Sequence, residues 1–320
     1  MSTESTPLAK QLAVGLVAGN EALEKLHDTK PDGRRDRFLV LNQIYDLHRR
    51  SLDELGQRVQ WQHHPSVVAI KTRLETDWMQ ELDQFVTPQI KDGDTADAMR
   101  SMAARGRAPR IYQWLAYEAN WHETLHFLAL EGGPDDIFDD LVATCQIGLP
   151  SGPAKMELAA NYGDEMGNGH IEAVHSVLYR RFVDAVKLPY IPLAKQPTEA
   201  LERCALLGLL AANRCLQPEM IGALGLIELS AGPQCRYVDQ CLDRLGASQD
   251  ARAFYQMHAD VDPRHGAGWL DNVVGPLVNE RPEWGPRILR GAAWKNAVND
   301  AFFTWADRTM AQPVAETSHV

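Results

Sequence analysis

The spacing of apolar residues is that of amphipathic helices, and it constrains the fold more than any other feature of the chain. From Asp36 to Val59 apolar side chains recur at steps of three and four residues, and this period returns from Pro65 to Phe85 and from Arg110 to Leu130. Further helices are predicted at about 135–146, 153–166, 170–187, 197–213, 217–229, 234–245, 248–260, 263–279 and 283–308. Because no useful run alternates as a strand does, the sequence predicts an all-α fold.

The composition excludes several classes of protein. The 32 Lys and Arg residues face 43 Asp and Glu among 320 residues, and the net charge of −11 argues against nucleic-acid or anionic-membrane partners. No apolar run approaches the roughly 18 residues of a membrane-spanning helix, and the polar N-terminus has no signal-peptide pattern. Five cysteines without a CxxC pair argue against a disulfide framework and a thiolate metal site. We therefore expect a soluble, cytoplasmic protein.

Proline and glycine are spread between the helices, so we expect no independent domains. Residues 1–105 are predicted to form an N-terminal helical layer with a loosely held start. This layer is expected to pack on a helical core at 106–310, which a tail at 311–320 follows.

One stretch of the third helix matches a zinc-protease motif. His122 and His126 follow H-E-x-x-H spacing, in which two imidazoles one turn apart hold zinc and the glutamate serves as general base. A third zinc ligand is missing, because the positions three and six residues after His126 hold Ala and Gly, and 135–156 offers only Asp as an acidic residue. A zinc hydrolase is therefore the distant alternative.

A second candidate site lies near the C-terminus, where His258, Asp262 and His265 follow H-x3-D-x2-H spacing. On one helix the two later residues lie within about 40° of His258, so the three side chains can converge on one metal ion. Two imidazoles and a carboxylate suit iron, manganese or zinc. Pro263 argues against a single straight helix and predicts a kink or a new helix beginning there.

A third candidate joins Glu165 to His175. Ten residues of unbroken helix would separate them by about 15 Å, too far to share an ion. Gly167 and Gly169 lie between them and could break the helix so that both side chains turn inward. Glu172 remains an alternative to Glu165, because Glu172 and His175 form the E-x-x-H pair that carboxylate-bridged metal bundles use.

Two further carboxylates interrupt apolar helix faces. Glu228 follows the apolar run 220–227, where an unpaired carboxylate would cost several kcal/mol. Glu118 shares a predicted face with Ile111, Leu115 and Leu125, and it is the carboxylate of the first core helix that we expect to point inward.

The order of these residues resembles that of the haem-oxygenase-like di-iron oxidases and oxygenases, which are also described as iron-containing redox enzymes. The resemblance covers about 110–310 and includes Asn-x-x-x-Glu-x-Gly at 161–167 and the final H-x3-D-x2-H set. It implies a haem-oxygenase-like seven-helix bundle with additional N-terminal helices. It also implies two iron ions bound by six predicted ligands, namely Glu165, His175, Glu228, His258, Asp262 and His265.

The resemblance further implies an activity. Two irons cycling between Fe2+ and Fe3+ would use O2 as co-substrate, with electrons from an external donor such as a ferredoxin-type reductant. Members of the family that oxygenate nitrogen resemble one another in an extra carboxylate on the first core helix. Glu118 is the candidate for this catalytic role, with Glu123 and Glu131 behind it. We therefore expect N-oxygenation of a small amine or amino-acid-like metabolite by a homodimer, with oxidative decarboxylation or C–C cleavage as the alternative.

Overall fold

The computed structural model describes residues 6–86, 95–106, 109–132 and 137–311, and every regular element in these ranges is a helix. The all-α prediction is therefore confirmed. The α-helices are α1 (Leu8–Ala18), α2 (Asn20–Glu24), α3 (Gly33–Arg49), α4 (Leu52–Leu55), α5 (Pro65–Asp83), α6 (Thr95–Gly106), α7 (Arg110–Tyr117), α8 (Trp121–Glu131), α9 (Phe138–Cys145), α10 (Pro153–Glu165), α11 (His175–Val186), α12 (Thr198–Ala212), α13 (Gln217–Arg244), α14 (Gln249–Gly268), α15 (Gly275–Glu280) and α16 (Trp284–Thr309).

Short 3-10 segments lie at Gly56–His63, Gly167–Gly169, Ile171–Ala173, Leu193–Lys195 and Arg214–Leu216, and a π-helical segment at Trp269–Val274 joins α14 to α15. None of the helices in the described ranges is long and apolar enough to cross a lipid bilayer.

Helix α13 lies at the centre of the bundle, where it packs against α14, α16, α7 and α6. Glycine allows the closest of these approaches. A Cβ at Gly222 would overlap the carbonyl oxygen of Ile288 on α16, and a Cβ at Gly291 of α16 would overlap the backbone of Glu219 on α13. The two helices therefore come close together at two points where only hydrogen can fit.

Helix α14 continues through Pro263, although the sequence predicts a kink or a new helix at this residue. Proline has no amide hydrogen to donate to the carbonyl four residues earlier, which belongs to Ala259. Arg236 of α13 fills this gap, because its Nη2 donates to the Ala259 oxygen at 2.9 Å. A contact from a neighbouring helix thus compensates the missing hydrogen bond. Helix α13 is likewise continuous through Pro233, where the sequence predicts two helices.

The third predicted helix, at 110–130, is instead divided into α7 and α8. Asn120 caps the start of α8: its side chain accepts from the Glu123 amide at 3.1 Å, and the Glu123 carboxylate accepts from the Asn120 amide at 2.8 Å. This capping box satisfies amides at the start of a helix, so it fixes a helix boundary at Asn120.

The N-terminal helices share one apolar core with the C-terminal ones, since a single buried cluster extends from Leu8 to Val298. Buried charge also joins the two parts. Glu219 of α13 is fully buried against Arg290 of α16 at 3.2 Å, and Arg290 in turn binds Asp83 of α5 at 2.7 Å. The division near residue 105 stays a prediction, and 312–320 of the predicted tail lie outside the described residues.

Replacing Gly222 with alanine is expected to destabilise the protein, because the added methyl group would overlap the α16 backbone. Overpacking of this kind costs about 1–3 kcal/mol, which denaturant unfolding would measure. Gly163→Ala is the matched control: Gly163 is also helical, and its nearest neighbour would lie 3.9 Å from the new Cβ. The control should be neutral or stabilising by up to about 1 kcal/mol. Equal stabilities of the two variants would contradict the expectation.

Candidate metal centre

Helix α10 ends at Glu165, and the residues that follow adopt a non-helical backbone conformation. Gly167 and Gly169 have φ of +60° and +87°, in the left-handed region that favours glycine. A Cβ at Gly167 would lie 2.6 Å from the backbone of Ala173, so the chain folds tightly back here. His175, the first residue of α11, thereby comes beside Glu165, with its Nδ1 2.7 Å from the carboxylate Oε2. The glycines turn the chain as the sequence indicates.

Two groups of three side chains lie close enough to hold metal ions. Glu165 forms one group with His175 and His258, and a second with Glu228 and His265. In each group one potential ligand atom per residue lies within 4.8 Å of the others. Four helices supply these residues, and all are buried except His258, which is half-buried. Because Glu165 belongs to both groups, the arrangement could hold two adjacent metal ions bridged by one carboxylate.

The remaining candidates differ in position. Asp262 is 2% exposed and lines the same cavity as His258, which lies one turn before it on α14. Asp262 belongs to neither group of three, so its role as a ligand stays a prediction. Glu172 is exposed and lies 4.0 Å from Nδ1 of His170, which is exposed as well. The structure thus places Glu165, and not Glu172, beside His175.

Hydrogen bonds on the outer side of two imidazoles fix their orientation. Nε2 of His265 lies 2.9 Å from the Asp164 carboxylate, which leaves Nδ1 to face the cluster. Nδ1 of His258 lies 2.8 Å from the carbonyl oxygen of Phe254, which leaves Nε2 as the available ligand atom. Partners of this kind commonly fix the tautomer and ring orientation of metal-binding histidines.

Besides the predicted ligand Glu165, helix α10 supplies two residues that hold other predicted ligands in place. Asn161, four residues before Glu165 and on the same face, donates from Nδ2 to Glu228 Oε1 at 2.7 Å. Asp164 orients His265 from the same turn. Neither residue has a role predicted from the sequence. The spacing of Asn161 was a usable signal, whereas the contact of Asp164 with a residue 101 positions later could not be inferred locally.

Burial and neighbouring charges shift the pKa values of four side chains in the cluster. Burial, and then the nearby Glu228, raise the pKa of Glu165 to about 8. Burial lowers the pKa of His175 and of His258 to about 4, helped by a neighbouring imidazole in each case. Burial opposes the charge of His265, but Glu228, together with Asp164 and Glu165, outweighs it and raises the pKa of His265 to about 9. Near pH 7 the contact between Glu165 and His175 is therefore one between two neutral groups.

These residues fit a pair of iron ions. Nδ1 of His175 and Nδ1 of His265 are buried atoms without a hydrogen bond, although carboxylate oxygens lie 2.7 and 3.5 Å away. A cation between each nitrogen and carboxylate would satisfy both. Imidazole nitrogen and carboxylate oxygen without thiolate form a donor set that suits iron, manganese or zinc.

The expectation that Glu118 points inward is wrong. Helix α7 ends at Tyr117, so Glu118 leaves the helical face from which its direction was predicted, and its side chain is exposed. Glu123 is engaged in the capping box of α8. Of the three carboxylates considered, only Glu131 lines the cavity beside the cluster.

The zinc-protease motif lies apart from the cluster. His122 and His126 are both exposed on α8. Among the described residues, neither belongs to a group of three or more potential metal ligands. The motif thus has the spacing of a zinc site, but the described part of the chain brings no third ligand to it.

Removing the outer partner of His265 should weaken metal binding. Asp164→Ala leaves the ring free to rotate and lowers its basicity, and such changes cost about 10–100-fold in metal affinity. Anaerobic ferrous titration against a competing chelator would measure the change. Asp184→Ala, which removes an exposed carboxylate from α11, is the control and should bind as the wild type does. Equal affinities for both variants would remove Asp164 from the site.

The raised pKa values of Glu165 and His265 predict opposite pH trends for stability and metal binding. Both groups are protonated in the metal-free protein near pH 7. Stability should therefore fall as pH rises from 4.5 to about 8 because of Glu165, and from 6.5 to about 9 because of His265. Ferrous ions compete with these protons, so metal affinity should rise over the same range. Denaturant unfolding and ferrous titration at pH 6.5 and 9 would test this, and Glu165→Gln should flatten the stability trend. Stability and metal affinity that change in the same direction between these two pH values would contradict the prediction.

Comparison with known proteins identifies the family. The sequence model of a family described as iron-containing redox enzyme matches residues 125–299. No curated protein matches the chain. A crystal structure of a CADD-like protein of unknown function from Nostoc punctiforme is similar, with a TM-score of 0.54 and 14% identity over 73% of this chain and 100% of that one. The predicted haem-oxygenase-like fold is thus confirmed, and the chain belongs to the iron-containing redox enzyme family.

Proposed function

We propose that the protein is an O2-dependent oxidoreductase in which the six predicted ligands hold two iron ions. The observation that best supports a pair of ions is the position of Glu165, which belongs to both ligand groups. Membership of an iron-containing redox enzyme family supports iron over zinc or manganese.

The surrounding residues would prepare the centre for this chemistry. Asp164, Asn161 and the Phe254 carbonyl orient three of the ligands. Iron ions bound there would supply the electrons with which dioxygen is reduced. The rings of Phe254 and Tyr255, both at most 5% exposed, line the adjacent cavity and would limit the access of water to it.

The cavity beside the ligands combines an apolar wall with fixed charges. The apolar part includes Ile227 and Val238, and the polar residues from other helices include Glu131, Arg203 and Lys295. A site with few, well-placed polar groups in apolar surroundings is typical of small-molecule recognition. The combination supports a small amino-acid-like metabolite as substrate.

The reaction type follows from the position of the carboxylates. N-oxygenation was expected from an extra inward carboxylate on the first core helix, but Glu118 is exposed. Glu131 is instead held by Arg203 at 2.8 Å and by the Tyr112 hydroxyl at 3.2 Å. The proposal therefore places oxidative decarboxylation or C–C cleavage ahead of N-oxygenation.

The proposal also includes partners. In some of these reactions the substrate does not supply all the electrons that reduce dioxygen. An external reductant, such as a ferredoxin-type protein, would supply the others. A cytoplasmic homodimer stays a prediction. The zinc hydrolase is the less supported alternative, because its two histidines are exposed and are not among the residues that line the cavity.

Iron content provides the decisive test. Wild-type protein loaded with ferrous ion should hold about two irons per chain and consume O2. His258→Ala should lose most of the iron, because it removes a ligand from the group around Glu165 and His175. His126→Ala is the matched control and should keep both iron and O2 consumption. Full iron in the His258 variant, or loss of metal only in the His126 variant, would refute the proposal.

A further inference from the structure

We infer that Arg203 and Lys295 form an anion-binding wall that receives a carboxylate of the substrate. The inference rests on the proposed function. Arg203 of α12 and Lys295 of α16 line the same cavity as the predicted ligands, although they come from helices that supply none of them. Their exposed fractions are 7% and 1%. A cation in the wall of a cavity, unlike one in solid core, can interact with a bound ligand.

Arg203 is held in one orientation. Its Nε donates to Asn299 Oδ1 at 3.1 Å, Nη2 donates to Glu131 Oε1 at 2.8 Å, and Nη1 donates to the Glu131 carbonyl. The guanidinium also lies over the Phe302 ring, 5.4 Å from its centroid. A group fixed in this way loses little conformational freedom when a ligand binds. The Arg203 guanidinium is paired with the Glu131 carboxylate, and Lys295 contributes a second cation to the wall.

The charge of the cavity changes sign when iron is bound. Its lining contains four carboxylates, namely Glu131, Glu165, Glu228 and Asp262, against the two cations. With all four carboxylates ionised, as metal binding requires, the lining by itself carries two negative charges in excess. Two ferrous ions add four positive charges and leave an excess of two positive charges. Because unbalanced buried charge is costly, the iron-loaded cavity favours an anionic ligand over a neutral or cationic one.

A carboxylate on a short chain meets these requirements. Lysine and arginine bind carboxylates through strong, charge-assisted hydrogen bonds. Ile227, Val238 and Phe254 offer apolar contacts to the rest of such a molecule. The wall would hold the carboxylate while the remainder of the substrate extends toward the metal ligands.

Anaerobic calorimetric titration of the ferrous protein with hexanoate, hexylamine and inorganic phosphate tests the inference. Wild type should bind hexanoate at least about tenfold more tightly than the other two probes. Lys295→Met should retain its iron and lose at least about tenfold in hexanoate affinity. Lys295→Arg keeps the cation and should keep the preference, and Lys10→Met, which removes an exposed lysine of α1, should behave as wild type.

The inference would be overturned by a Lys295→Met protein that holds iron and binds hexanoate as wild type does. It would also be overturned by a wild type that prefers hexylamine or phosphate. Should Lys295→Met not fold, the preference of the wild type decides. Failure of the proposed function shows separately, as absence of iron from the wild type before any probe is added, and it would overturn the charge argument as well.

Discussion

Two carboxylates, Glu165 and Glu228, are buried together in the middle of a helical bundle, and the arrangement around them follows from the cost of that burial. Like charges in a low dielectric repel strongly, so one must be protonated or both must meet cations. Without metal, Glu165 keeps its proton to about pH 8, while Asn161 and His265 support Glu228. Bound metal ions would compensate the negative charge of both carboxylates directly. The fold is thus built to receive positive charge at one place.

Helix α13 connects this centre to the opposite side of the cavity. Glu228 points from α13 into the cluster, while Gly222, on an earlier turn, contacts α16. One turn after its own close-packed Gly291, α16 carries Lys295 into the cavity wall. The two glycine contacts therefore set the distance between the helix that bears a ligand and the helix that bears the cation. Packing density and the shape of the cavity depend on the same pair of helices.

The sequence was most informative where one helix or one short turn determines the outcome. The helical period predicted the fold class, and the glycines after Glu165 indicated the turn that brings His175 beside it. Glu118 was misplaced because the apolar period continues across a helix boundary that the Asn120 capping box creates. That box is visible in the sequence, so this error was avoidable.

Other features depend on contacts between distant segments and could not be predicted. The continuity of α14 through Pro263 requires Arg236 from another helix. Arg203 and Lys295 lie on helices whose sequences contain no recognisable metal or ligand motif, and only the folded chain brings them to the cavity. The proposed role of Arg203 and Lys295 in recognition depends on tertiary structure. No local sequence pattern distinguishes these two residues from ordinary surface cations.

The proline inside α14 has a mechanical consequence. His258 precedes Pro263 and belongs to one ligand group, whereas His265 follows it and belongs to the other. The helix between them lacks one internal hydrogen bond and relies on a side chain of α13 instead. Its two halves can therefore tilt relative to each other at lower cost than in a regular helix. Such a joint would let His258 and His265 shift relative to each other while Glu165 stays common to both groups.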